Sequence, residues 1–231
     1  MNRDDAKRLA ARAALELLPD EGIVGLGSGS TAQLFIDGVG ELVKAGRKLR
    51  GVPTSEASRA QAERLGIPLL GDAGPWAIDV CVDGADEVSA SLDLIKGGGG
   101  CHTREKIVNA SSKTNVIVID DSKLSEHLGD KWPVPVEVLP FGHLATVAAL
   151  SRFGRVELRS RGGVPWMTDA GNFLYDVHAG ILADPAETEM SLALLPGVVD
   201  SGLFVGRANL VLVAGDSGVR RLQPNEFAGR H

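Results

Sequence analysis

Apolar residues recur at Ala6, Leu9, Ala10, Ala13, Ala14 and Leu17, the one-face spacing of an amphipathic helix. Pro19-Asp20-Glu21-Gly22 ends that pattern. The short apolar run 23–26 then predicts a buried strand. Ala32, Leu34, Phe35, Ile36, Val39, Leu42 and Val43 predict a helix starting near Thr31. The alternation repeats: strands at 49–53, 67–70, 77–82 and 115–120, helices at 55–65 and 103–111. Continuous apolar strands separated by helices predict an α/β fold, a mainly parallel sheet with helices on both faces. Ligands bind such sheets outside the carboxyl ends of the strands, where the loops after Gly25, Val82 and Ile95 would gather.

From about Asp130 the texture changes. The stretch 132–140, WPVPVEVLP, carries too many prolines for a central strand. A helix at 143–153, alternating stretches at 156–159 and 173–177, and a helix near 187–195 predict a small α+β subdomain. The apolar run 208–214 reads as one more strand of the main sheet. The predicted division is 1–130 with 206–231 for the main domain, and 131–205 for the smaller one.

Charge narrows the partners. Among 231 residues, 24 basic side chains face 30 acidic ones, a net −6, which offers no footprint for nucleic acid or an anionic membrane. Apolar runs fall far short of the roughly 20 residues that span a bilayer. The N-terminus mixes acids and bases, unlike a secretory or transit segment. Two cysteines, Cys81 and Cys101, are too few for a disulfide scaffold, so a reduced cytoplasmic setting is the default. The 29 glycines cluster at 25–29 and 97–100, as they do where backbone approaches a ligand or turns through positive φ.

Three loops carry candidate chemistry. In Gly25-Leu26-Gly27-Ser28-Gly29-Ser30-Thr31 a strand passes into a helix start, whose N–H groups and partial positive charge suit a phosphate. A tight turn with Ser30 or Thr31 capping the helix is the plainer reading. A triphosphate loop would need a lysine, and a dinucleotide fingerprint a third glycine where Ser30 or Ala32 stands. A monophosphate fits better. In Asp83-Gly84-Ala85-Asp86-Glu87, three carboxylates follow a strand. They suit ligand hydroxyls or cations, a solvated turn, or, with His102, hard metal ligands lacking any recognised spacing. Lys96-Gly97-Gly98-Gly99-Gly100 offers consecutive N–H groups and a cation for developing oxyanion charge. Glu105, in the first turn of the next helix, is a candidate general base or a carboxylate complementing the helix dipole. Lys123, after the strand 115–120, falls on the same rim; Lys7 carries no assignment.

The blocks GLGSGSTAQLFID, VDGADEV, LIKGGGGCHTREKIV, DDSKLSEHLG, PVPVEVLP, TDAGNFLYDV and PGVVDSGLF, in order from about residue 20 to 215, resemble the type A ribose-5-phosphate isomerase family. The resemblance implies a Rossmann-like main domain with a smaller α+β domain. It also implies interconversion of ribose 5-phosphate and ribulose 5-phosphate in the pentose phosphate pathway, without metal or organic cofactor, by a homo-oligomer, for which a homodimer is the expectation. Carried over residue by residue, Ser28, Gly29, Ser30, Thr31, Asp83, Gly84, Ala85, Asp86, Lys96, Gly97, Gly98, Gly99 and Lys123 become substrate contacts. Glu105 becomes the proton acceptor, with Asp83, Asp86 and Lys96 assisting catalysis. Two departures stand out: Ser28 where threonine is common, and a more polar Gly100-Cys101-His102. A non-catalytic sugar-phosphate sensor would need the phosphate loop but no aligned base. A nicotinamide-dependent oxidoreductase would need the missing glycine.

Overall fold

The structure, a computed structural model, describes residues 1–224. Its main sheet has six strands in the order Gly218–Leu222, Leu210–Gly215, Ser112–Asp120, Ile78–Asp83, Glu21–Leu26 and Lys48–Pro53. Neighbours run parallel except at the Gly218–Leu222 edge, which is antiparallel. The strands are apolar on both sides because both sides are covered. Val24, Leu26, Val80, Val82, Val116, Val118 and Leu212 share a core with Ala6, Ala10 and Ala14 of helix Arg3–Leu15. Phe35, Ile36 and Val39 of helix Ser30–Lys44 and Ala62 of helix Glu56–Leu65 complete it. Burying each of the larger side chains is worth about 1.5–3 kcal/mol.

On the opposite face, Ile23, Val52, Ile78 and Cys81 pack with Val108 of helix His102–Ala110. Gly25 permits that approach: a Cβ there would stand 2.8 Å from Cys81 Sγ and 2.9 Å from Val108 Cγ1, closer than packed carbons allow. The helix runs antiparallel to the strands it covers. Its C-terminal end lies at their start, where the Ile78 N–H donates to the Ser111 carbonyl at 3.2 Å.

Contacts divide the chain into two compact units: 1–85 with 104–123 and the residues from 207 onward, and 86–103 with 124–206. Segments 86–103 and 124–130, read from the sequence as parts of the main domain, pack with the α+β unit. Strand Leu94–Ile95 pairs with Glu87–Val88 and Leu203–Phe204. The fully buried Glu87 carboxylate accepts the N–H groups of Gly129 and Lys131, each at 3.0 Å. Residues 225–231 of the expected main domain lie outside the described residues.

The second unit also holds a four-stranded antiparallel sheet in the order Val198–Ser201, Val134–Val138, Phe173–His178, Arg155–Leu158. The proline-rich strand is therefore an interior one, contrary to the sequence expectation. Pro135 lies opposite Asp176, and its carbonyl accepts the Gly202 N–H at 2.7 Å, so only a donor is missing from the ladder. Pro133 and Pro140 lie outside the strand. Val134, Val136, Val138, Leu150, Tyr175, Val177 and Leu192 form this unit's core. Burial raises the Tyr175 phenol above its ordinary pKa; its Oη lies 2.6 Å from His143 Nδ1.

Two other expectations shift. Segment 67–70 contributes a single parallel bridge, Gly51 with Leu69. The run 208–214 appears as Leu210–Gly215, parallel to Ser112–Asp120 as read. Among the described residues no helix is long and apolar enough to cross a membrane.

Candidate active site

In the first unit the loops after Glu21–Leu26, Ile78–Asp83 and Ser112–Asp120 leave parallel neighbouring strands. Residues 27–31, 84–85 and 121–123 therefore share the carboxyl edge of the sheet. Asp83, 3% exposed, organises that edge. Its Oδ1 accepts the Ser28 N–H at 2.9 Å and the Gly84 N–H at 2.8 Å, drawing the first two loops together. Gly27 lies against that carboxylate and donates its N–H to the Val82 carbonyl at 3.0 Å.

Ser30 and Thr31 do not cap the helix. The cap position is Gly29, at φ 88° with no side-chain cap bond, and the helix begins at Ser30. The exposed Gly29 and Ser30 thus present first-turn N–H groups that no side chain has taken. Ser28 Oγ instead lies 2.8 Å from both Thr54 Oγ1 and Ser55 Oγ, and Ser55 Oγ lies 2.6 Å from Ser58 Oγ. This hydroxyl chain escaped the sequence reading. Its available signal was the Thr54-Ser55 pair ending strand Lys48–Pro53, on the same edge.

Glu105 is 5% exposed and sits in the first turn of helix His102–Ala110, one turn before Val108. Since Val108 rests on Gly25 and Cys81 at mid-sheet, three residues at about 1.5 Å each carry Glu105 toward the carboxyl edge. Lys123 ends the short turn Asp121–Lys123 on that edge. Lys7 lies 3.7 Å from Asp4 on its own helix.

In the second unit Lys96 is 3% exposed, its N–H bonded to the Gly202 carbonyl at 2.8 Å and its Nζ 5.4 Å from the Phe204 ring centroid. The glycine run folds into a tight loop. Gly97 and Gly100 adopt φ 102° and 77°, and the Gly100 N–H returns to the Gly97 carbonyl at 2.9 Å. The Asp86 Oδ2 accepts the Gly98 N–H at 2.6 Å. His102 is fully buried, its Nε2 3.3 Å from the Asp200 carbonyl, and Cys101 Sγ lies 3.5 Å from the Gly99 carbonyl. Glu137, 2% exposed, receives Thr103 Oγ1, Thr168 Oγ1 at 2.7 Å and Asn172 Nδ2 at 2.8 Å. Two motif blocks distant in sequence thereby hold Thr103, the second residue of helix His102–Ala110.

Two carboxylates of the metal-ligand alternative hold backbone N–H groups. Glu87 is committed to Gly129 and Lys131, and Asp83 Oδ1 to Ser28 and Gly84. Among the described residues no group of three or more His, Cys, Asp and Glu could hold a metal ion.

Residues 50–218 match the family model described as ribose 5-phosphate isomerase A (phosphoriboisomerase A). The ribose-5-phosphate isomerase A of Gloeobacter violaceus is 47% identical over 97% of this chain and 99% of its own length. A D-ribose-5-phosphate isomerase solved with phospho-erythronic acid superposes with a TM-score of 0.93 at 39% identity, covering 96% of this chain and all of the other. The Methanocaldococcus jannaschii ribose 5-phosphate isomerase A gives 0.90 at 39% identity over 95% and 98% of the two chains. This chain belongs to the ribose 5-phosphate isomerase A family, and is an isomerase.

Proposed function

We propose that this chain interconverts D-ribose 5-phosphate and D-ribulose 5-phosphate through an enediolate, with Glu105 as the base. The observation that carries the reading is the placement of a nearly buried carboxylate, one helical turn above mid-sheet, at the edge bearing the uncapped Gly29–Thr31 helix start. The phosphate takes the N–H groups of Gly29, Ser30 and Thr31 and the hydroxyls of Ser30 and Thr31, against a loop that Ser28 shapes through its bonds to Asp83 and the hydroxyl chain, with Lys123 adding charge. Asp83, Gly84, Ala85 and Asp86 meet the sugar hydroxyls, and the two carboxylates assist ring opening. Glu105 removes the C2 proton of the open aldose, leaving an enediolate charged at O1. A proton passes from O2 to O1, and Glu105 returns its proton to C1, giving the ketose. Lys96 with the Gly97, Gly98 and Gly99 loop stabilises the oxygen charge as it forms. No step uses a metal or organic cofactor. The pentose phosphate pathway, in a reduced cytoplasm, is the matching setting; both cysteines are free thiols.

The test is a chelator-treated assay of ribose 5-phosphate in D₂O. Ribulose 5-phosphate should form with solvent deuterium at C1, phospho-erythronic acid should compete, and unphosphorylated ribose should lose at least ~10³-fold in kcat/KM, the scale of lost remote binding energy. Absence of ketose formation would refute the proposal.

We also propose a second copy of this chain as partner. Phe141, Leu144, Met190 and Leu194 of the second unit are 96%, 70%, 62% and 77% exposed. Their segments are tied together by Thr146 Oγ1 on the Pro196 carbonyl and the Leu139 N–H on that of Gly197. Large apolar exposure of this kind marks protein interfaces. Light scattering should give twice the chain mass, and Leu194→Glu should reduce it; a monomeric parent would refute the assignment.

A further inference from the structure

Arg159 was in no sequence motif, yet it uses every edge of its guanidinium inside the second unit. Nε donates to Asp176 Oδ2 at 2.9 Å and Nη2 to Asp176 Oδ1. Nη1 donates to the carbonyls of Gly97 and Gly98, at 2.7 and 3.0 Å. The two side chains are 12% and 17% exposed, and the Trp166 ring centroid lies 5.5 Å from the guanidinium carbon. The backbone is fixed as well: the Arg159 N–H meets the Leu174 carbonyl at 2.8 Å and its carbonyl receives the Trp166 N–H at 2.9 Å.

The consequence follows from peptide planarity. In a trans peptide the C=O of one residue and the N–H of the next point in opposite directions. With the Gly97 and Gly98 carbonyls drawn onto Arg159, the N–H groups of Gly98 and Gly99 must face away from it. The first meets Asp86 Oδ2 at 2.6 Å. The second belongs to Gly99, which is exposed. Four glycines impose no preference of their own, since each can adopt either sign of φ. Donating to the carbonyls also polarises the same peptides and strengthens their N–H groups as donors.

We propose that Arg159 is a positioning residue that sets which way the glycine-loop peptides face, held in turn by Asp176 and Trp166. The proposal rests on the reading that this loop stabilises the enediolate oxygen. A lysine cannot replace the fork: one ammonium cannot bind a carboxylate bidentately and two carbonyls at once.

The test compares the parent with Arg159→Lys, Arg159→Ala and Asp176→Asn, each checked for a parent-like melting temperature. Loss of one aligned oxyanion donor is worth ~10²–10³-fold, so Arg159→Lys should lower kcat about 100-fold with KM within threefold. Asp176→Asn, which keeps the guanidinium but loosens it, should lower kcat about tenfold. Millimolar guanidinium should restore much of the Arg159→Ala loss while leaving the parent unchanged. Parent-like kcat in Arg159→Lys would overturn the proposal, as would equal losses in kcat and thermal stability that guanidinium does not relieve. A parent that forms no ribulose 5-phosphate overturns the functional reading instead, so the two failures are distinct.

Discussion

Glu105→Gln should lower kcat by about 10³-fold while KM stays within threefold. The amide has the size and burial of the carboxylate it replaces, which is 5% exposed, so the helix and its contact through Val108 are preserved. What the amide lacks is basicity, and a positioned general base contributes about 10²–10⁴-fold. Ground-state affinity is assigned to other residues, the Gly29–Thr31 helix start and the hydroxyls beside it, so KM has little reason to change. Solvent deuterium incorporation at C1 should fall in step with kcat. Glu105→Asp separates the base from a mere anchor: it keeps the carboxylate but withdraws it by about 1 Å, a misplacement that can cost about 10²-fold. If Glu105→Gln turned over within tenfold of the parent, the proton would have to move through another group.

The sheet was legible because its strands are apolar on both sides and its helices carry one apolar face. Residues 23–26, 78–82 and 115–120 could hardly be anything else, and the loops after them had to share an edge. What escaped was governed by partners distant in the chain. Gly218–Leu222, with Arg220 and Arg221, is half polar because it is an edge strand. The strand Val134–Val138 looked unsuited to a sheet interior because proline is judged by the donor it lacks. Here Pro135 needs only its carbonyl, supplied to a residue 67 positions later, Gly202. Glu87 resembled its acidic neighbours Asp83 and Asp86. Its separate role, holding Gly129 and Lys131, appears only when those loops are in place. The same holds for Arg159, whose acceptors lie some 60 residues earlier. The acid groups and glycines of the candidate site were visible locally; the groups that hold them in place were not.

Gly27→Ala should lower the melting temperature by about 10 °C and kcat/KM by more than 100-fold. The added methyl would collide with the Asp83 carboxylate and stand 2.5 Å from the Val82 carbonyl oxygen. Backbone cannot yield as a surface side chain does, because that carbonyl accepts the Gly27 N–H at 3.0 Å in continuation of the sheet. Overpacking alone costs about 1–3 kcal/mol. Displacing Asp83 also strips acceptors from the N–H groups of Ser28 and Gly84, each worth about 1–3 kcal/mol if buried and unmet. The lower end of that sum, about 3–4 kcal/mol and appropriate where relaxation lets part of the contacts survive, corresponds to about 10 °C for a chain of this length. Activity should fall further than stability because the same carboxylate holds loop 27–31, to which the proposal assigns the phosphate, beside the acidic loop. Gly71→Ala is the control: its methyl meets nothing within 4 Å, so it should melt within about 1 °C of the parent, as surface changes do. If the Gly27 variant melted like that control and kept its kcat/KM, Asp83 would not be the group that fixes this edge. The loop would then owe its shape to the hydroxyl chain from Ser28 to Ser58, whose removal would become the decisive experiment.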